Sequence, residues 1–493
     1  MQPAPATTPG LAVRLVYGAG GAVYAVKESA YTMFVLLFYT QVLGLEGTLT
    51  GVVVAVGLLW DAVSDPLVGA LSDRLRHRRG RRHPFMDASI LPLGLGFLGL
   101  FAPPPAIVDS SPLLAGWLLF WSLWIRSFVT TFSIPQLALS AEITRDYQGR
   151  SRILGTRLAF IFLFSVLMPA SALLLIFGEG NGGDGRFARD NYPVYGAFSC
   201  LVCWLMAGIS SRGTRRYARS SLPQDGAAPG SAGTLGGDLL RTLGNRGFRM
   251  VLGLDISIMM AYGSVSTLNM LVWVYYWEFS ARQISLILSL PSLAAVGLVA
   301  LSLGPLGRRH EKYRLLQLAV LGLILNCLWL YPLRMLHLLP DNGSTLVFWL
   351  NLLFMLLFMY CFLLRAIQTQ SIIADVADEH EWQHGLRQEA GFFAAANFAN
   401  KIATVFGPLY GGLALDLVGL RAGMQPGSIA QPVLDGLAVA YGLGTLPFLV
   451  AGLLFGLRIT LSRARVEELQ RLLRRRAARA PGGAATQSGC GER

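Results

Sequence analysis

The sequence predicts an all-α membrane protein of twelve spanning helices, arranged as two sets of six. Three observations predict it. Of 493 residues, 53% are hydrophobic and only 14% charged, where a soluble protein carries about 25% charged residues; mean hydropathy is +0.51. The apolar residues gather into twelve runs, each long enough to cross a hydrocarbon core of about 30 Å at about 1.5 Å per helical residue. A polar stretch rich in Arg, Gly, Ser and Pro, 212–248, divides them six and six. The net charge of +13 would suggest nucleic-acid binding in a soluble chain. Here the basic residues sit in short runs between apolar stretches, so the charge belongs to membrane topology and no nucleic-acid partner is expected.

The first six runs fall near 16–43, 48–71, 85–103, 113–140, 154–177 and 192–211. The last six fall near 249–277, 282–304, 314–334, 345–373, 390–418 and 434–458. The domains expected are therefore a bundle over 1–211, a linker over 212–248, a second bundle over 249–458 and a basic tail over 459–493. Loops after even-numbered spans carry most of the interhelical Lys and Arg, and cytoplasmic loops keep the positive excess. Both termini are thus expected in the cytoplasm. The stretch from Arg463 to Arg479 is a basic helix poised to meet anionic lipid. The first ten residues lack the charged and apolar regions of a cleavable signal, so the first span would direct insertion. Of five cysteines, Cys200, Cys203, Cys327 and Cys361 lie in apolar runs, which argues against a disulfide framework. A monomer in a bacterial inner membrane is the expectation.

Charges inside spans are costly and mark substrate or ion paths. The sharpest set is Trp60-Asp61-Ala62-Val63-Ser64-Asp65-Pro66 on span two. Asp61 and Asp65 are four apart and share a helix face. Two close carboxylates in a low dielectric stay ionised together only with a cation between them; otherwise one takes a proton. Two readings stand at this point: a cation or proton site, or a pair held to arginines of neighbouring spans for packing. Pro66 loosens the backbone one turn back, as in broken helices at ion sites. Lys27, Glu28, Arg126, Arg157, Asp255, Arg365 and Lys401 are further charges inside spans. Lys27 and Glu28 point about 100° apart on a helix of 3.6 residues per turn, so at most one faces a cavity squarely. Lys401 is too deep to reach the interface and is expected to pair with a carboxylate across a cavity.

Asp65-Pro66-Leu67-Val68-Gly69-Ala70-Leu71-Ser72-Asp73-Arg74 and the following Gly80-Arg81-Arg82 resemble the cytoplasmic signature loop of major facilitator proteins. That resemblance implies the two-bundle major facilitator fold and a conformational latch at Asp73, Arg74, Arg81 and Arg82. The combination of Tyr17-Gly18, Trp60-Asp61…Asp65-Pro66, Ile134-Pro135 with Glu142-Ile143-Thr144-Arg145-Asp146, Arg152 with Arg157, and Ala374-Asp375-Val376-Ala377-Asp378-Glu379 leading to Arg387-Gln388-Glu389 and Lys401 is narrower. It resembles the glycoside–pentoside–hexuronide cation symporters. The resemblance implies cation ligation by Asp61, Ser64, Asp65 and Thr130, with Na⁺ or H⁺ as coupling ion and no other cofactor. It also implies solute contacts from Arg157 and Lys401. The family's two sugar-binding carboxylates fall at Ala25 and Ser133, and its stacking tryptophan at Leu137; Glu28 lies one turn from Ala25 and is the candidate replacement. The cation half of the site is kept and the sugar half rewritten.

His380-Glu381-Trp382-Gln383-His384 fits a zinc-protease pattern, but a catalytic site needs a third ligand and the stretch is expected in a polar loop. No bound metal or enzymatic activity is expected. Gly94-Leu95-Gly96-Phe97-Leu98-Gly99 lies in an apolar span with no strand before it, where small residues serve helix packing. None of the three lysines follows a glycine, so the chain has no phosphate-binding loop and no ATPase of its own. Cation-coupled symport of a sugar, glycoside or related polar solute by alternating access is the leading expectation. The alternatives are a carrier of an amphiphilic, lysolipid-like solute and a non-transporting membrane receptor.

Overall fold

The computed structural model describes residues 10–75, 77, 80–144, 147–180, 183–220, 244–384, 389–459 and 462–479. Most of the linker, the tail beyond 479, and Arg145, Asp146, Arg387 and Gln388 lie outside these described residues. Helix α1 runs as an α-helix over Leu11–Ser29 and continues as π-helical turns over Ala30–Val35 and Leu37–Val42. Then come α2 (Gly47–Arg74), α3 (His83–Phe101), α4 (Ser111–Ile143), α5 (Tyr147–Leu175) and α6 (Asn191–Thr214). Helix α7 spans Arg246–Leu271 with a π-helical end, Val272–Tyr276. It is followed by α8 (Ala281–Arg309), α9 (Lys312–Cys327, with a further turn and a half at Leu330–Met335), α10 (Thr345–His384) and α11 (Glu389–Val418). Helix α12 is broken into Gln431–Tyr441 and Leu446–Gly456, and α13 (Arg463–Arg479) lies in the tail. Among the described residues, eleven helices are long and apolar enough to cross a membrane. Helix α1, with Arg14, Lys27 and Glu28, is outside that set.

Two features depart from the expected all-α layout. Glu179–Gly180 pairs antiparallel with Gly183–Asp184 between α5 and α6. Helix α10 continues past the expected end at 373 as far as His384, so the His380–His384 stretch is helical rather than a loop. His380 is buried there, with its ring edge-on to Phe392 at 5.3 Å.

The ends of α1 and α7 are built alike, although their sequences differ. Leu43 N–H donates to the Phe38 carbonyl (2.9 Å) and Leu45 N–H to that of Tyr39 (2.8 Å); Trp277 N–H donates to Val272 (3.1 Å) and Phe279 N–H to Trp273 (2.9 Å). Between each pair sits a left-handed residue, Gly44 at φ 80° and Glu278 at φ 51°. These wrap-around caps satisfy carbonyls that the apolar surroundings leave without water. The shared geometry makes Gln41 and Tyr275 equivalent positions of a repeat, and they meet: the Tyr275 hydroxyl donates to Gln41 Oε1 at 3.1 Å.

The first six helices pack chiefly on one another, as do α7 to α12. The two sets meet at the end carrying the loops after odd-numbered helices. There Asp416 of α11 caps α2, accepting from Gly47 N–H (3.0 Å) and Thr48 N–H (2.7 Å). Arg186 Nη1 donates to the Phe279 carbonyl at 2.8 Å. Glycines permit the approach: a Cβ on Gly51 would lie 2.2 Å from the Pro408 carbonyl, and one on Gly412 would lie 2.2 Å from that of Gly47.

Candidate functional site

Helices α2 and α4 run side by side in the same direction, so a one-turn step on α2 faces a one-turn step on α4. Asp61 meets Arg126, whose Nη1 donates to Oδ2 at 2.5 Å. One turn on, Asp65 meets Thr130, whose Oγ1 donates to Oδ1 at 2.8 Å. Ser64 Oγ donates to Thr130 Oγ1 at 3.4 Å, so three oxygen-bearing side chains adjoin. Gly57 gives Arg126 its room, since a Cβ there would sit 2.8 Å from the guanidinium Nε. Tyr31 adds a ring face 4.6 Å from the Arg126 guanidinium carbon.

A second cation reaches Asp61 from α1. Lys27 Nζ lies 3.5 Å from Asp61 Oδ2 and 3.5 Å from Glu28 Oε2, over the Tyr24 ring at 4.5 Å. Of the two neighbours on α1, Lys27 is therefore the one turned inward, at 3% exposure, and the Glu28 side chain is about half exposed. Lys401 of α11 donates Nζ to Asp65 Oδ2, as its depth in the span predicts. The Lys401 side chain is 42% exposed and that of Asp65 21%, whereas Arg126 is 1% exposed. Asp61 is thus clamped by buried cations and Asp65 is held by an accessible one.

The remaining candidates divide. Arg157 does not join the acids: its Nε donates to Gln136 Oε1 at 2.7 Å, and Gln136 Nε2 donates to the Tyr17 carbonyl at 2.8 Å. The cations nearest Asp61 are instead Arg126 and Lys27. Ser133 is buried, and its Oγ has no partner among the described residues. Asp73 pairs with Arg82 at 2.5 Å, and Arg81 and Arg82 reach Glu142 of α4 at 2.9 and 3.4 Å; Arg74 is exposed. These latch candidates thus pair among α2, α4 and the loop after α2. Asp255 is satisfied inside its own helix set, by Arg365 of α10 and by Asn400 Nδ2 at 2.7 Å.

Arg126 and Lys27 are the site residues that reading by resemblance passed over. The signal was present in spacing. Arg126 and Thr130 are four apart, as Asp61 and Asp65 are, and two such pairs on parallel helices match turn for turn.

A family model described as MFS/sugar transport protein matches residues 16–463. The putative glycoside/cation symporter YagG of Escherichia coli is 27% identical over 462 residues, covering 91% of this chain and 92% of that protein. The uncharacterized symporter sll1374 of Synechocystis is 28% identical over 212 residues, 42% of this chain; the matched stretch spans 39% of that protein's length. Among solved structures, the inward-open xylose transporter XylE from E. coli aligns with a TM-score of 0.56 at 15% identity, over 94% of this chain and 97% of that one. At that identity the likeness concerns the fold.

Proposed function

The chain belongs to the MFS/sugar transport protein family, and on that premise we propose that it is a secondary transporter that couples entry of a polar, sugar-like solute to a cation, Na⁺ or H⁺. The observation that carries the proposal is the accessible ion pair between Lys401 and Asp65, backed by Thr130 and Ser64. Carboxylate and hydroxyl oxygens suit a hard cation or a proton. In the ion-free state Lys401 stands in for that cation. An arriving ion takes Asp65, Ser64 and Thr130, and Lys401 is released toward the solute. Asp61 keeps its charge balance throughout, because Arg126 and Lys27 stay with it.

Glu28, Ser133, Arg157 and Lys401 are the residues assigned to the solute. Lys401 belongs to α11 and Asp65 to α2, so the exchange of partners acts on the contact between the two helix sets. Those sets rock about the site in alternating access. The Asp73, Arg74, Arg81 and Arg82 cluster with Glu142 shapes the end facing the cytoplasm. The membrane assigned is the bacterial inner membrane, with both termini inside. Similarity to YagG, named a glycoside/cation symporter, supports the solute class.

Uptake of labelled glycosides into membrane vesicles, with pH and Na⁺ gradients imposed separately, tests the proposal. Gradient-dependent accumulation that D65N abolishes is expected. Accumulation that D65N leaves intact would remove Asp65 from the coupling, and none under either gradient would end the symport reading.

A further inference from the structure

The stretch from Asp184 to Tyr192, which leads into α6, reaches from the first helix set to the second. It is a preformed unit. The Tyr192 hydroxyl donates to the Arg186 carbonyl at 2.7 Å, and Asn191 Nδ2 donates to that of Gly185 at 2.8 Å. Gly185 packs so closely that a Cβ there would lie 2.5 Å from the Gly178 carbonyl. Arg186 donates its backbone N–H and its Nε to Asp184 Oδ1 at 3.0 and 2.8 Å, and its Nη2 to Oδ2. The Arg186 guanidinium is thus aimed by its own loop, and the residue is only 5% exposed.

The acceptor it is aimed at belongs to the other set. Nη1 donates to the carbonyl of Phe279, at the wrap-around cap that ends α7. Beside it, Phe187 meets the Tyr275 ring edge-on at 5.7 Å. The Tyr275 hydroxyl in turn bonds Gln41 and the Met424 carbonyl, at 3.1 and 3.3 Å. Gln41, Tyr275 and Phe279 are all buried, so this contact excludes water at the end where the sets meet.

Charge decides how such a contact can open. A buried cation parted from its counter-charge is strongly destabilising. Asp184 lies in the same loop as Arg186, so the pair stays together when the sets part, and the step across the interface breaks a hydrogen bond to a neutral carbonyl. Lys401 and Asp65, by contrast, join the sets through the two charges themselves. We propose that residues 184–192 are a strap that closes this end of the molecule, with Arg186 as its pin and Asp184 as the counter-charge that lets the pin withdraw. The strap requires only that the two sets part at this end, whatever the solute or ion.

Full-length protein in sealed vesicles, carrying a cysteine at Thr50, tests this with a membrane-impermeant maleimide and no solute. Thr50 is wholly buried on a different contact between the sets, beside Gly51 and Pro408. Its labelling rate, read against protein without the added cysteine, is expected to rise about tenfold in R186Q, the lower range for a hydrogen bond to a charged group. R186K keeps the cation but lacks the planar fork that holds Asp184 and Phe279 together, so a smaller rise is expected. Unchanged labelling in R186Q, or in R186K where R186Q does not fold, overturns the proposal. So does a rise at a cysteine replacing Phe187 without one at Thr50, which would mean that the strap alone has loosened. Because no solute is used, either failure leaves the symport reading standing.

Discussion

Lys401 on α11 and Asp65 on α2 form an ion pair that joins the two six-helix sets, and among the described residues no other ion pair does so. Its neighbour, Asp61–Arg126, lies within one set and is more deeply buried. The two acids lie one turn apart on one helix and are therefore set up for different work.

On the coupling scheme proposed above, Lys401 competes with the cation for Asp65. K401Q removes the competitor and is expected to lower the cation concentration giving half-maximal binding several-fold, while reducing maximal uptake. Cation-dependent fluorescence or calorimetric titration of the purified protein checks the first effect. Unchanged or weaker cation affinity would contradict the stand-in role.

The Asp255–Arg365 pair is a structural counter-case. Both side chains are almost wholly buried, so removing one partner strands a charge, at a cost of about 3–5 kcal/mol. R365M is expected to show that loss in thermal denaturation. D255L combined with R365M is expected to recover most of it, although Asn400 also loses its acceptor. A double variant as unstable as the single one would mean that the pair itself, rather than an orphaned charge, carries the stability.

The equivalent caps give opposite expectations at their left-handed residues. Glu278 adopts φ 51° where its counterpart Gly44 adopts 80°. E278G is expected to stabilise the protein by about 1 kcal/mol, and G44A to destabilise it by a similar amount. Melting temperatures of the two variants against wild type decide this.

Helices α2 and α11 approach closely at the end where the two helix sets meet. A side chain on Gly51 collides with the Pro408 carbonyl, so G51V is expected to part the helices there. Labelling of a cysteine placed at Thr50, which is wholly buried next to that contact, by a membrane-impermeant maleimide is expected to rise several-fold in the G51V background. Equal labelling would show that the contact is not a gate.

Much of this molecule could be read from the chain alone. Runs of apolar residues define spans because each backbone polar group in lipid must be satisfied within its own helix, so every span found its helix to within a few residues at most ends. The shared face of Asp61 and Asp65 follows from helical period, and the depth of Lys401 called for a carboxylate partner. Pairing between helices was another matter. Which cation reaches which acid depends on helix rotation and spacing, and these are set by packing at Gly51, Gly57 and Gly412. Hence Arg126 and Lys27 hold Asp61; Arg157 is bound to an amide; and Glu278 occupies a position where local preference would place glycine. Local periodicity carries no information about those distances, which arise when twelve separately formed helices are brought together.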